Sequence, residues 1–257
     1  MWTGQALTSG LANLLPIDCA RDEAIAVRQL VARWQDGGFA TIGDETPAAR
    51  PGRPNRSQLR LRREVQRPRI SKAAGGRISL VHAIAHIELN AIDSALYMAC
   101  RYVAHRLPYD FYTDWLSVAE DGARHFLLLC ERLAAMDAGY GDMPAHDGLG
   151  QAAQETVDDL LGRLAIAPLV LEGRGLDVTP AMIDQLAAVA DPETAAAFTI
   201  IMNDEIGLVA IGKNWFHYVC TMQRRDPIST FHQLTGTYFK GPLKPPFNTA
   251  ALTAANF

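Results

Sequence analysis

The sequence predicts an all-α protein, and three observations carry that reading. Apolar residues recur at helical spacing along four long segments, glycine or proline punctuates their ends, and no convincing run of alternating residues marks a strand. Asp22 to Gln35 places Ile25, Val27, Leu30, Val31 and Trp34 at that spacing and closes at Gly37-Gly38, so it reads as a helix. Residues 38–76 form a proline- and arginine-rich connection, long for a structureless loop and expected to wrap the body of the protein. The first long helix then runs from about Arg77 to Arg106, before Pro108. A second spans about Phe111 to Ala138 and ends at Gly139. Tyr140 to Gly148 is a loop by composition.

A third long helix is expected from about Leu149 to Gly173, with Gly173-Arg-Gly175 as its C-cap. Asp177-Val-Thr-Pro180 reads as an N-cap threonine before an N1 proline, opening a shorter helix to about Ala190. Asp191-Pro192 opens the fourth long helix, to about Met222. A short helix follows Pro227, and the tail from Gly241 to Phe257 reads as extended. The chain thus divides into residues 1–76, a helix and wrapping arm, and residues 77–257, a four-helix bundle with extra short helices and a tail.

Composition narrows the function classes. Four scattered cysteines (Cys19, Cys100, Cys130, Cys220) with no CxxC spacing argue against a zinc knuckle and a secreted disulfide framework. They fit a reducing cytoplasm, and Met1 to Pro16 lacks the pattern of a signal peptide. The most apolar stretch, Ile78 to Cys100, carries His82, His86, Glu88 and Asp93, so a buried helix is expected there and not a membrane span. Net charge is −4, yet Arg50 to Arg77 alone holds +9 and the remainder −13. An arm lying on acidic helix surfaces is favoured over a nucleic-acid strip, because no aromatic residue interleaves to stack on bases.

One set of residues points to chemistry. Glu88 falls in the apolar stripe of Val81, Ala85, Ile92 and Ala95, where a carboxylate is costly unless a partner or metal neutralises it. His125 follows on the second long helix, Glu172 on the third and Glu205 on the fourth. Thirty-three residues separate Glu88 from Gly122 in Gly122-Ala-Arg-His125, and thirty-two separate Glu172 from Glu205 in Glu205-Ile-Gly-Leu208. Each half therefore carries a glutamate on one helix and a four-residue word on the next. Carboxylate and imidazole ligands suit iron or manganese. His82 and His86, at i and i+4, read as hydrogen-bonded within the helices, and Asp142 and His146 as fixing their loop.

Several stretches together resemble the ferritin-like proteins catalogued as domain of unknown function 455. They are His-Ala-Ile-Ala-His-Ile-Glu88, Ala-Arg-His-Phe126, Tyr-Gly-Asp-Met-Pro-Ala-His-Asp-Gly148, Leu-Glu-Gly-Arg-Gly-Leu-Asp-Val-Thr-Pro180, Asp-Glu-Ile-Gly207, Val-Ala-Ile-Gly212 and Lys-Pro-Pro-Phe-Asn248. The resemblance covers about Pro51 to the C-terminus and implies a ferritin-like bundle of metal-binding ancestry, in which the four-residue word is Glu-x-x-His. It carries over Glu88, His125, Glu172 and Glu205 as metal ligands. The chain departs from that pattern at Gly122, where a glutamate is expected, and at Leu208, where a histidine is. In the tail, Leu252 replaces an arginine and Asn256 a glycine.

Four ligands in place of six imply one ion of iron or manganese held by Glu88, His125 and Glu205, with the Glu172 position weak or empty. Asp121, four residues before His125, is an imperfect substitute ligand. Two functions follow. The first is an iron-dependent oxidase or oxygenase acting on a small molecule whose identity the residues do not specify. The second is a metal-free, non-catalytic bundle kept for binding, as a partner to an intact relative, and a homo-oligomer is compatible with either.

Overall fold

The computed structural model describes residues 5–47, 50–52, 58–65, 68–241 and 243–256, the side chain of Arg62 excepted. Apart from two strands of two residues each, the regular structure of these residues is helical, and the chain divides into two compact units. The first comprises Met1–Arg69 with Ala74–His146, and the second Ile70–Ala73 with Asp147–Phe257.

The first unit opens with α1 (Leu7–Leu14), which the sequence reading missed because the segment is short and uncapped by any side chain. The expected next helix is present as α2 (Ala20–Gln35), and Gly37 follows it in the left-handed region. In the basic connection, β1 (Leu59–Arg60) pairs in parallel with β2 (Ala145–His146). Two residues are too few to leave an alternating pattern in sequence. Arg60 and Arg63 are exposed, and Arg63 Nε lies 3.9 Å from Glu64 Oε1. Arg53, Arg56 and Arg67 lie outside the described residues.

The long helices α3 (Ala74–Arg101) and α4 (Tyr109–Ala134) form the centre of this unit. The first begins before Gly75-Gly76 and stops five residues short of Arg106, because a 3₁₀ turn at Val103–His105 and a left-handed Arg106 precede Pro108. Residue pairs 88 with 125 and 92 with 122 run in opposite directions, so the two helices are antiparallel. Nearly every residue of α3 from Leu80 to Cys100 is buried, which explains its apolar composition on all sides. Outside it, α2 packs on α4, where Trp34 stacks on Tyr109 with ring centroids 4.3 Å apart and donates Nε1–H to Thr113 Oγ1 at 3.2 Å.

The second unit corrects the expected third helix, which is broken. It consists of α5 (Gly148–Glu155), α6 (Leu160–Leu164), a π-helical stretch Ala165–Glu172 and α7 (Gly173–Ala188). The buried Arg163 ties α5 to α6 by donating to Thr156 Oγ1 at 2.8 Å and to the Ala153 carbonyl. Pro168 sits inside the π-helical stretch. A proline there has no N–H to donate and crowds the carbonyl four residues back, and the wider π turn relieves that crowding.

Gly173-Arg-Gly175 is no C-cap. Gly173 has φ −54 and ψ −36, and the helix runs through it. Nor does Asp177-Val-Thr-Pro180 open a helix. Pro180 leaves the Leu176 carbonyl without its usual amide donor, and Asn248 Nδ2 supplies one at 3.1 Å. Asp177 accepts from the Asn248 amide at 2.8 Å, while Arg174 donates to the carbonyls of Lys244 at 2.7 Å and Pro246 at 3.1 Å. The tail thus does the work of a local cap.

Asp191 caps α8 (Pro192–Met222) as expected, accepting from Thr194 N at 3.2 Å. Among the described residues α8 alone is long and apolar enough to cross a membrane by length and composition, and it carries Asp204 and Glu205 near its centre. After α9 (Pro227–Tyr238), the tail forms a short helix, α10 (Thr249–Ala254), in place of the expected extended run. Asn248 caps it, accepting from Ala251 N at 3.1 Å. Asn256 follows it with φ 59, a conformation that glycine adopts freely and asparagine tolerates best among the rest. Leu252, partly buried, packs against the apolar cluster of Leu176, Val209, Ala251 and Ala255.

Gly212 of α8 is where that helix approaches Pro168 too closely for a side chain, since an added Cβ would overlap the proline ring. Gly207, on the same helix, faces open space. Gly212→Ala is therefore expected to lower stability by about 1–3 kcal/mol. Gly207→Ala should raise it by up to about 1 kcal/mol through helix propensity. Urea unfolding of the two variants checks the contrast.

Candidate metal centre

Burial and helix approach together fix the centre of the first unit. Glu88 is 3% exposed and His125 is 1% exposed, and Glu88 Oε2 lies 3.2 Å from His125 Nδ1. Both groups are buried on helices whose neighbouring residues are largely apolar, and each has the other at hydrogen-bond distance. Removing one partner from such a buried pair typically costs about 3–5 kcal/mol.

Gly122 explains how the two helices come this close. A Cβ at that position would meet Ile92 Cγ1 at 3.1 Å, the Ile92 amide nitrogen at 3.4 Å and the Glu88 carbonyl oxygen at 3.6 Å. The position where the sequence pattern calls for glutamate is here a packing glycine. A glutamate would have to displace Ile92 before it could reach any ion.

The other end of His125 is also engaged. Arg124 NH2 lies 3.5 Å from His125 Nε2 and donates to Asp121 Oδ1 at 3.0 Å. Asp121 thus pairs with Arg124 in this arrangement.

A second cluster lies nearby on α3. His86 Nδ1 hydrogen-bonds Tyr140 Oη at 2.8 Å, and His82 Nε2 accepts from the Gly141 amide at 3.0 Å. Tyr140 stacks on His82 with centroids 5.1 Å apart and meets Phe126 edge to face at 5.0 Å. Asp142 accepts from the Gly139 amide at 2.7 Å and closes the loop. The two histidines therefore hold this loop against α3. Sequence reasoning missed Tyr140 as their partner, although an aromatic residue opening a glycine-bearing loop was a visible signal.

In the second unit, Glu205 is buried in the middle of α8 and Glu172 is the last residue of the π-helical stretch, half-buried. Pro168 faces Gly212. Burial pushes the Cys100 thiol up to about 12 and the Cys130 thiol up to about 11, which keeps both protonated near neutral pH.

The comparisons with known proteins come to this point with a family. The family described as "Protein of unknown function (DUF455)" matches residues 18–257. This chain belongs to that family. A relative from Haemophilus influenzae, described as "Uncharacterized protein", is 38% identical over 187 residues, which is 71% of this chain and 65% of that protein. The chain thus spans somewhat less than two thirds of that relative's length. No solved structure matches.

The loop cluster yields a pH dependence. Burial lowers the pKa of His82 from 6.5, opposed in part by the Asp142 carboxylate. The folded chain therefore binds this proton less tightly than the unfolded chain. The stabilisation is present above about 6.5 and is lost as pH falls through the folded value. Wild-type melting temperature is expected to drop on acidification from about pH 7.5 to 5.5. His82→Gln keeps an acceptor for the Gly141 amide without a titrating group, so its profile should be flatter.

Proposed function

We propose that this family member is a ferritin-like, cytoplasmic metalloprotein that holds one ion of iron or manganese and uses it in oxidase- or oxygenase-type chemistry on a small molecule. The observation that carries the reading is the Glu88–His125 contact. Two metal–ligand bonds of about 2.1–2.2 Å meeting near a right angle separate their donor atoms by about 3.0–3.1 Å. The 3.2 Å between Glu88 Oε2 and His125 Nδ1 fits that spacing without rearrangement of either helix. The sequence spacing nominates Glu205 as the second carboxylate and Glu172 as the remnant of a second position.

Within this reading the chain's own residues have separable roles. Glu88 supplies negative charge and His125 a neutral nitrogen donor. The apolar stripe around them excludes water and raises the cost of leaving the charge uncompensated. Ile92, pressed against Gly122, fills the place a further ligand would need. When bound, an ion with open positions would supply Lewis-acid or redox reactivity toward oxygen.

A second reading rests on the same contact. Glu88 and His125 satisfy each other by a hydrogen bond, so the fold does not need an ion, and a metal-free binding scaffold is consistent with the site. Metal content separates the two. Protein expressed with iron and manganese supplied, then desalted, is expected to retain about one ion per chain by mass spectrometry. Glu88→Gln and His125→Gln, which keep hydrogen-bonding capacity, should each lose it. Metal-free wild-type protein of native helicity would overturn the enzyme reading.

A further inference from the structure

The tail, residues 243–256, covers part of the α7–α8 pair with little apolar surface of its own. Beneath it Leu176 and Val209 are fully buried, and Met202, Ile206 and Ala210 pack against the same cluster. The tail's share of that cluster is small: Ala251, Ala255 and the partly buried Leu252. Its larger apolar side chains, Leu243 and Phe247, are 48% and 50% exposed. An element with few buried apolar contacts and solvent-exposed hydrogen bonds opens at a fraction of the free energy of global unfolding.

The polar anchors of the tail have alternatives close by. Arg174 donates to the carbonyls of Lys244 and Pro246 at the surface. The same guanidinium nitrogen lies 3.4 Å from Asp177 Oδ2, so a departing tail leaves the Arg174–Asp177 pair already formed. Asp177 gives up the Asn248 amide at that moment and keeps its cation. The Leu176 carbonyl, served by Asn248 Nδ2 while the tail is docked, passes to water when it is not. Docked and released states both satisfy the groups of α7, which is what a reversible contact requires.

Glu205 is the side chain through which this cover bears on an ion. It is buried, three residues after Met202 and four before Val209, and so flanks the face of α8 that the tail covers. We propose that residues 243–256 form a strap that opens as a local unit while α7 and α8 stay folded, and that its opening governs the passage of an ion to and from Glu205. The second half rests on the metal reading above, and the first stands on the tail's contacts alone. Arg174 and Asn248 are positioning residues that hold the strap and touch no ion.

The test uses the full chain. The amides of Ala251, Leu252 and Ala255 are hydrogen-bonded within the tail. In hydrogen–deuterium exchange they are nonetheless expected to show at least about tenfold less protection than those of Val209 and Ala210 on α8. Asn248→Ala and Arg174→Met should each lower the tail's protection about tenfold further and leave that of α8 unchanged. Manganese(II) entry and release are then timed by the electron paramagnetic resonance signal of the free ion. Both rates should rise about tenfold in the two variants with Kd unchanged, because a cover alters the barrier and not the bound state. Equal protection of the tail and α8 overturns the strap. A tail that opens as expected while the manganese rates stay at their wild-type values overturns its control of the ion. Opening as expected with no manganese bound by any of the proteins fails the metal reading and the gating with it, and leaves the detachable strap standing.

Discussion

The approach of α3 to α4 at Gly122 is the constraint on which the candidate centre depends. With no side chain at that position, Ile92 and the backbone of Glu88 come against α4, and one turn on, the buried His125 meets the buried Glu88. A buried carboxylate is tolerable only with a partner at hydrogen-bond distance. The packing glycine supplies that distance, so the geometry of the polar pair follows from a steric fact about a residue with no functional group.

The same constraint bears on what the site can bind. Close packing at Gly122 puts Ile92 where a side chain at that position would stand, so the contact between the two helices is apolar on one turn and polar on the next.

The second unit solves a different problem, two prolines inside helical segments. At Pro168 the backbone widens into π-helical geometry, and Glu172 ends that stretch. At Pro180 the orphaned Leu176 carbonyl is served by Asn248 from the tail. The tail is thus part of the helix's hydrogen bonding, and its own short helix brings Leu252 into the apolar cluster. A residue that departs from the family pattern in sequence is here accounted for by packing, as is Asn256 by its positive φ.

Much of this was legible in the chain itself. Helical periodicity determined the all-α class and the long helices α3, α4 and α8 to within a few residues at most ends, because amphipathic or apolar spacing over many turns outweighs local ambiguity. A glutamate interrupting the stripe of Val81, Ala85, Ile92 and Ala95 marked Glu88 for the same reason. Other features had no local signature. Asp177-Val-Thr-Pro180 carries the letters of a helix start, yet its donors and acceptors are taken up by residues some seventy positions away. The role of Gly122 as a packing contact, the hold of Arg124 on His125 and the service of Tyr140 to His86 depend on which side chains two helices and a loop bring within about 3–4 Å. Periodicity fixes which face of a helix is apolar, but only tertiary packing decides how closely two such faces meet, and that distance separates a lone buried carboxylate from a pair able to share an ion.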